Sequence, residues 1–80
     1  MYAYYNRGIA LSNLEKYKEA IADFNVVLRI DSTYSPALNN RGNVKFLIGD
    51  LDGACNDWAK SIRLGNIASE KAYNHYCKGK

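Results

Sequence analysis

The stretch AYYNRG at residues 3–8 returns as ALNNRG at residues 37–42, and this return decides the fold. Ala3, Asn6, Arg7 and Gly8 are matched by Ala37, Asn40, Arg41 and Gly42. The same offset carries Ala20, Asp23 and Arg29 onto Ala54, Asp57 and Arg63. Similar residues fill the gaps: Tyr17 with Leu51, Phe24 with Trp58, Leu28 with Ile62, Ile30 with Leu64. A fixed period of this length marks a repeat architecture in which each unit is one supersecondary element.

Within each copy the apolar residues keep helical spacing, as in Ala20, Ile21, Phe24, Val27 and Leu28, or Val44, Leu47 and Ile48. Punctuation sets the ends. Ser35-Pro36 reads as an N-cap followed by proline at the first helical position, and Gly49 as a left-handed stop after Ile48. A further helix opens near Asp50 to Asp52 and closes at Gly65; Asn66 then caps a last one running to about Lys78, with Gly79 beyond it. The expected helices cover about 2–14, 18–30, 36–48, 51–64 and 67–78. Short connections make neighbouring helices antiparallel, and a unit repeated in register stacks the hairpins side by side. The fold class is therefore all-α: a solenoid of two helical hairpins, residues 1–34 and 35–68, closed by a capping helix over 67–78, in one domain of residues 1–80.

Glycine inside a helix costs about 1 kcal/mol against alanine, so Gly8 and Gly42 need a packing reason. Close helix approach supplies it. With Ala20 and Ala54 on the partner helices, the missing side chains let the backbones cross closely, and Phe24 and Trp58 are expected to fill the wedge between hairpins.

Composition narrows the class of function. Eighty residues bury only about 60% of the surface of the unfolded chain, so the core is thin. Hydrophobic residues at 48% and charged ones at 24% fit a folded globular chain. No apolar run of membrane-spanning length is present, and residues 1–20 lack the pattern of a secretory signal, so no membrane association is expected. The net charge of +3 comes from 11 basic and 8 acidic side chains that interleave. Only Lys71, Lys78 and Lys80 gather, which is a solvated tail rather than the basic stripe that phosphates require, and no nucleic-acid partner is expected.

These residues resemble the tetratricopeptide repeat. The small residues that family places at positions 8 and 20, its tyrosine at 17 and its aromatic at 24 are matched by Gly8, Ala20, Tyr17 and Phe24, and in the second copy by Gly42, Ala54 and Trp58. The runs Tyr5-Asn6-Arg7-Gly8 and Leu47-Ile48-Gly49-Asp50 through Asp57-Trp58 are similar to repeats of the bacterial type. There are departures. Arg7 and Arg41 stand where the family has leucine, Tyr4 and Leu38 where it has tryptophan, and Ser32 and Asn66 where it has proline. Lys45 and Ser61 replace apolar residues of the second copy, as suits a stack about to end.

The resemblance implies a module that binds a protein or peptide on the concave surface lined by the first helix of each hairpin. Spacings of three and four place Tyr2, Tyr5, Asn6, Ile9 and Asn13 on that stripe in the first copy, and Asn39, Asn40, Asn43, Phe46 and Leu47 in the second. The closing helix adds Glu70, Tyr73 and Asn74. Asparagine both donates and accepts, so amides along the groove suit an extended peptide backbone, while tyrosine adds rigid contact area. Family members that hold chaperone C-terminal tails use a basic clamp. Tyr5, Ile9, Glu70 and Asn74 stand at four of its places and only Asn40 matches, so such tails are not expected ligands. The second reading of the chain is a stretch of a longer solenoid, or a unit that self-associates through its ends near Trp58.

Cys55 and Cys77, well separated along the chain, lack the short paired spacings of a zinc site, and no metal or cofactor is expected. Cys55 lies nine residues before Leu64 and Cys77 ten after Ile67, so an antiparallel pair sets both thiols at one level. Either a disulfide pins the closing helix or two small buried thiols pack beneath it. His75 points away from Cys77 on the same helix. No phosphate loop, nucleophile elbow or facing carboxylate pair occurs, and Asp23 and Asp57 are expected to face solvent or pair with nearby basic groups. No enzyme activity is expected.

Overall fold

A computed structural model describes residues 1–78, and it is all-α. Helix α1 (Tyr2–Asn13) and α2 (Tyr17–Ile30) form one hairpin, and α3 (Ser35–Leu47) and α4 (Leu51–Arg63) the next. A short 3-10 turn (Ile67–Ser69) then leads into α5 (Glu70–Tyr76). Helix α2 packs against both α1 and α3, and α4 against both α3 and α5, the side-by-side stack expected from the period.

The turns inside the two hairpins agree in conformation but not in chemistry. Gly49 adopts φ +90° between α3 and α4, and Glu15, its counterpart one repeat earlier, adopts φ +62° between α1 and α2. The left-handed region is open to glycine and unfavourable to a residue with a Cβ. Gly65 at φ +92° makes the corresponding stop after α4.

Two caps differ from expectation. Tyr34, not Ser35, is the N-cap of α3, without a side-chain hydrogen bond, and Ser35-Pro36 forms the first turn itself. The carbonyl of Ser35 accepts a bond from the Ser61 hydroxyl at 3.3 Å. Asn66 does cap, its Oδ1 accepting from the Ala68 amide at 3.0 Å, but what it opens is the 3-10 turn, and α5 is shorter than the 67–78 helix read from sequence.

Ala20, Phe24 and Val27 of α2 and Ala37 and Val44 of α3 make one fully buried cluster, which spans the two hairpins. Ala54, Trp58 and Cys77 make the second, flanked by Phe46, Ala72 and Tyr73. A Cβ on Gly8 would stand 2.7 Å from the Phe24 ring, and one on Gly42 would stand 2.7 Å from Trp58 Nε1. The glycines thus admit the aromatic rings to the helix backbone.

The departures at Arg7, Arg41 and Lys45 have a common cause, the buried aspartates. Arg7 donates from Nε and Nη2 to the two carboxylate oxygens of Asp23, at 2.7 and 2.8 Å, and Arg41 does the same to Asp57 at 2.8 Å each. Lys45 Nζ lies 3.2 Å from Asp57 Oδ2. Both aspartates and Ser61 are buried, so the aspartates are paired inside the hairpins and do not face solvent. The polar residues of the second repeat are internal connections rather than a softened end. No buried side-chain N or O atom among the described residues lacks a partner.

Candidate partner-binding site

The sequence-predicted stripe divides into residues the fold uses and residues it leaves open. Tyr5 is half-buried, its ring 6.1 Å from Phe24 and 5.3 Å from Tyr34, and its hydroxyl accepts from Asn40 Nδ2 at 2.9 Å. The same amide nitrogen reaches the Pro36 carbonyl at 3.0 Å. Asn39 Oδ1 accepts from the buried Ser69 hydroxyl at 2.8 Å, which ties α3 to the start of the closing helix. Asn43 accepts from Trp58 Nε1 at 3.0 Å. The Phe46 ring centre lies 4.4 Å from that of Tyr76 and 5.9 Å from that of Trp58, both pairs tilted, and Ile9 and Tyr73 pack against the two core clusters.

The open set is smaller. Asn6 and Asn13 on α1, Leu47 at the end of α3, and Glu70 and Asn74 on α5 are exposed. Tyr2 is exposed too, its ring edge-on to Tyr34 at 6.1 Å. Asn6, Asn40 and Asn74 recur at the repeat interval, once on each of α1, α3 and α5.

Burial raises the pKa of the Tyr34 hydroxyl above its ordinary value. That group therefore stays a neutral hydrogen-bond donor and acceptor near neutral pH. Cys55 and Cys77 are joined in a disulfide, with their Cα atoms 5.8 Å apart, at the junction of α4 and α5. Among the described residues no group of histidine, cysteine, aspartate or glutamate is arranged to hold a metal ion, and no helix is long and apolar enough to cross a membrane. Gly79 and Lys80, the second of them part of the basic tail, lie outside the described residues.

The helical hairpin, its glycine–aromatic contact and its stacking on a second copy agree with comparison to known proteins, where the model of the tetratricopeptide repeat matches residues 2–34. The chain belongs to the tetratricopeptide repeat family. It is 33% identical over 69 residues to heat shock protein STI1 of Saccharomyces cerevisiae, an alignment that covers 86% of this chain and 11% of that protein. It is also 34% identical over 59 residues to RNA polymerase II-associated protein 3 of Xenopus tropicalis, covering 74% of this chain and 9% of that one. The chain thus spans about a tenth of the length of these curated relatives. The family is one of protein–protein interaction modules.

Proposed function

We propose that this tetratricopeptide chain binds an extended protein segment along the face shared by α1, α3 and α5, and that it does no chemistry on it. The observation that carries the reading is the triple of Asn6, Asn40 and Asn74, one amide per successive first helix. An amide that both donates and accepts pairs with a peptide backbone whatever its side chains, and three at a regular interval follow a strand laid across the helices. Tyr2, Tyr5, Asn13 and Tyr73 frame that path. Tyr5 and Tyr73 are held rigid by packing, which lowers the entropy lost on binding. One relative is named for association with RNA polymerase II, a protein assembly, which agrees with a protein ligand. With Glu70 on this face and no lysine at the clamp positions, a segment ending in a free carboxylate is disfavoured.

The residues to alter are those the fold does not use. Replacing Asn40 or Asn43 disturbs the bonds to Tyr5 and Trp58, whereas Asn6 and Asn74 are exposed and free of intramolecular hydrogen bonds in the described residues. The paired change Asn6→Ala and Asn74→Ala is expected to leave helicity and melting unchanged and to weaken capture of the partner about tenfold or more, two backbone bonds at about 1 kcal/mol each. Affinity measured by titration calorimetry that stays equal to that of the unaltered chain overturns the site.

A further inference from the structure

Of the three helices that carry the amide path, the closing one holds itself least. Helix α5 is 7 residues long, and isolated helices shorter than about 12–15 residues are marginal in water, so it stays helical only while docked. No residue within Glu70–Tyr76 is buried; Ala72 and Tyr73 are half-buried against the Trp58 cluster. At the front the Ser69 hydroxyl donates to Asn39 on α3, and at the far end the Tyr76 ring centre lies 4.4 Å from that of Phe46. The bridge from Cys77 to Cys55 on α4 completes the docking. Apart from the chain itself it is the one covalent tie between α5 and the helices before it, since the sequence holds no other cysteine.

The bridge is also within reach. A hollow of about 410 Å³ opens between α4 and α5, lined by Asp52, Asn56, Ala59 and Tyr73 together with both cysteines. That is the size of a cleft for a small molecule. Cys77 is 8% exposed, and Cys55 is the less buried of the two.

We infer that the Cys55–Cys77 bridge is a redox latch that sets the affinity of the amide path. Oxidised, it holds Tyr73 and Asn74 in line with Asn6 and Asn40; reduced, it releases α5, and the path stops after α3. The effect on affinity rests on the binding face proposed above. The release is a thiol–disulfide exchange with a dithiol. One thiolate of the reductant enters by the hollow and attacks Cys55 Sγ, forming a mixed disulfide and expelling the Cys77 thiolate, which takes up a proton. The second thiol of the reductant, losing its proton, attacks the reductant's own sulfur in the mixed disulfide. Cys55 leaves as a thiolate and is protonated, and the reductant ends as its disulfide. Two electrons and two protons have passed to the protein. The constraint of the closed loop is then gone. What remains of the docking is the Ser69 bond and half-covered side chains such as Tyr76, 41% exposed, too little to hold so short a helix. Linkage makes the effect reciprocal: a peptide that needs Asn74 in place resists reduction of the bridge by the same factor by which oxidation tightens its binding.

The test uses the whole chain, oxidised or treated with dithiothreitol, beside the double variant Cys55→Ser and Cys77→Ser, which no reductant alters at this site. Amide hydrogen exchange should quicken across residues 73–77 on reduction while α1–α3 stay protected, and the double variant should show that pattern with or without dithiothreitol. The oxidised chain is then applied to an array of random decapeptides with amidated C-termini, and the best-retained peptide is titrated. Its affinity should fall about fivefold or more on reduction, the worth of the Asn74 hydrogen bond. Saturation with that peptide should raise, by the same factor, the ratio of reduced to oxidised dithiothreitol at which the bridge is half reduced. Exchange in α5 that reduction leaves unchanged overturns the latch. So does a reduced chain that unfolds throughout, because the bridge is then a staple of the whole fold. Release of α5 with the peptide affinity unchanged overturns the coupling alone. An oxidised chain that retains no peptide fails the binding face, and the coupling with it, while the exchange pattern still decides whether reduction frees α5.

Discussion

Arg7 and Arg41 hold the same place in successive repeats, and each donates two hydrogen bonds to the aspartate sixteen residues later, yet the two pairs are unequal. Around Asp57 the second hairpin itself adds Lys45 to the carboxylate, where the first has Leu11, and the stacked first hairpin adds Asn25 to the arginine; around Asp23 there is neither. The difference lies partly in the neighbour and partly in the repeat's own sequence. In a solenoid each unit is stabilised by itself and by the next one along, so identical residues differ in worth according to what is stacked on them.

The covers of the two aromatic residues are unequal in the same way. Helix α3 covers the Phe24 cluster with Ala37 and Val44, both buried, whereas α5 has no buried residue within Glu70–Tyr76, and only Ser69 and Cys77 at its two ends are buried. The bridge from Cys77 to Cys55 therefore carries much of the docking of α5 over Trp58. Cys77→Ser is expected to lower stability by about 3 kcal/mol, the entropy of closing a loop of this length, the largest effect anticipated for a single change at this end. Trp58 is the sole tryptophan, so the loosening should show as a red shift of its emission before global unfolding. An unreduced native chain that takes up two alkylating groups has no bridge, and the variant would then match the parent.

The clamp comparison comes next in size. Asp57→Ala leaves Arg41 and Lys45, both about four-fifths buried, without a carboxylate and should cost about 2–4 kcal/mol in a urea titration. Asp23→Ala should cost less than half as much, because Arg7 is free to turn into water. Acid acts on the Asp23 pair. The hydrogen bonds from Arg7 hold the Asp23 carboxyl below its ordinary range, against the upward push of burial. A group lowered in the folded state binds its proton more tightly when unfolded, so its contribution is full above the unfolded value near 4 and is lost as pH falls through the lower folded value. Arg7→Met should flatten the loss of stability below about pH 4, and an unchanged slope would locate the acid sensitivity elsewhere.

The fold was legible because period, helical spacing and glycine–aromatic pairing all point the same way, and each is local or recurs at one interval. The clamps carried a signal too: arginine and aspartate recur together in both copies at one fixed separation, although each arginine taken singly looks like a missing leucine. What the chain did not disclose is which side of a helix residue is consumed by its neighbours. Asn39, Asn40 and Asn43 share one stripe with Asn6, but their partners Ser69, Tyr5 and Trp58 come from other helices, and those meetings depend on the register between hairpins.

The smallest expected effect lies in the hairpin turns, where one conformation is met by two chemistries. Glu15 holds φ +62° where the second repeat uses Gly49 at φ +90°. A Cβ in the left-handed region costs about 1–2 kcal/mol. Glycine removes that but gives the unfolded chain more freedom, a loss of about 0.5–1 kcal/mol. The first term exceeds the second, so Glu15→Gly should stabilise by about 0.5–1 kcal/mol, raising the midpoint of thermal unfolding by about 2–6 °C for a chain of this size. The reciprocal change Gly49→Ala should destabilise by a similar amount, since no atom crowds that Cβ and the backbone conformation alone is responsible. Were Glu15→Gly neutral while Gly49→Ala destabilised, the first turn would be relaxing in solution to a conformation the second does not share, and the two hairpins would differ at the turn as they do at the clamp.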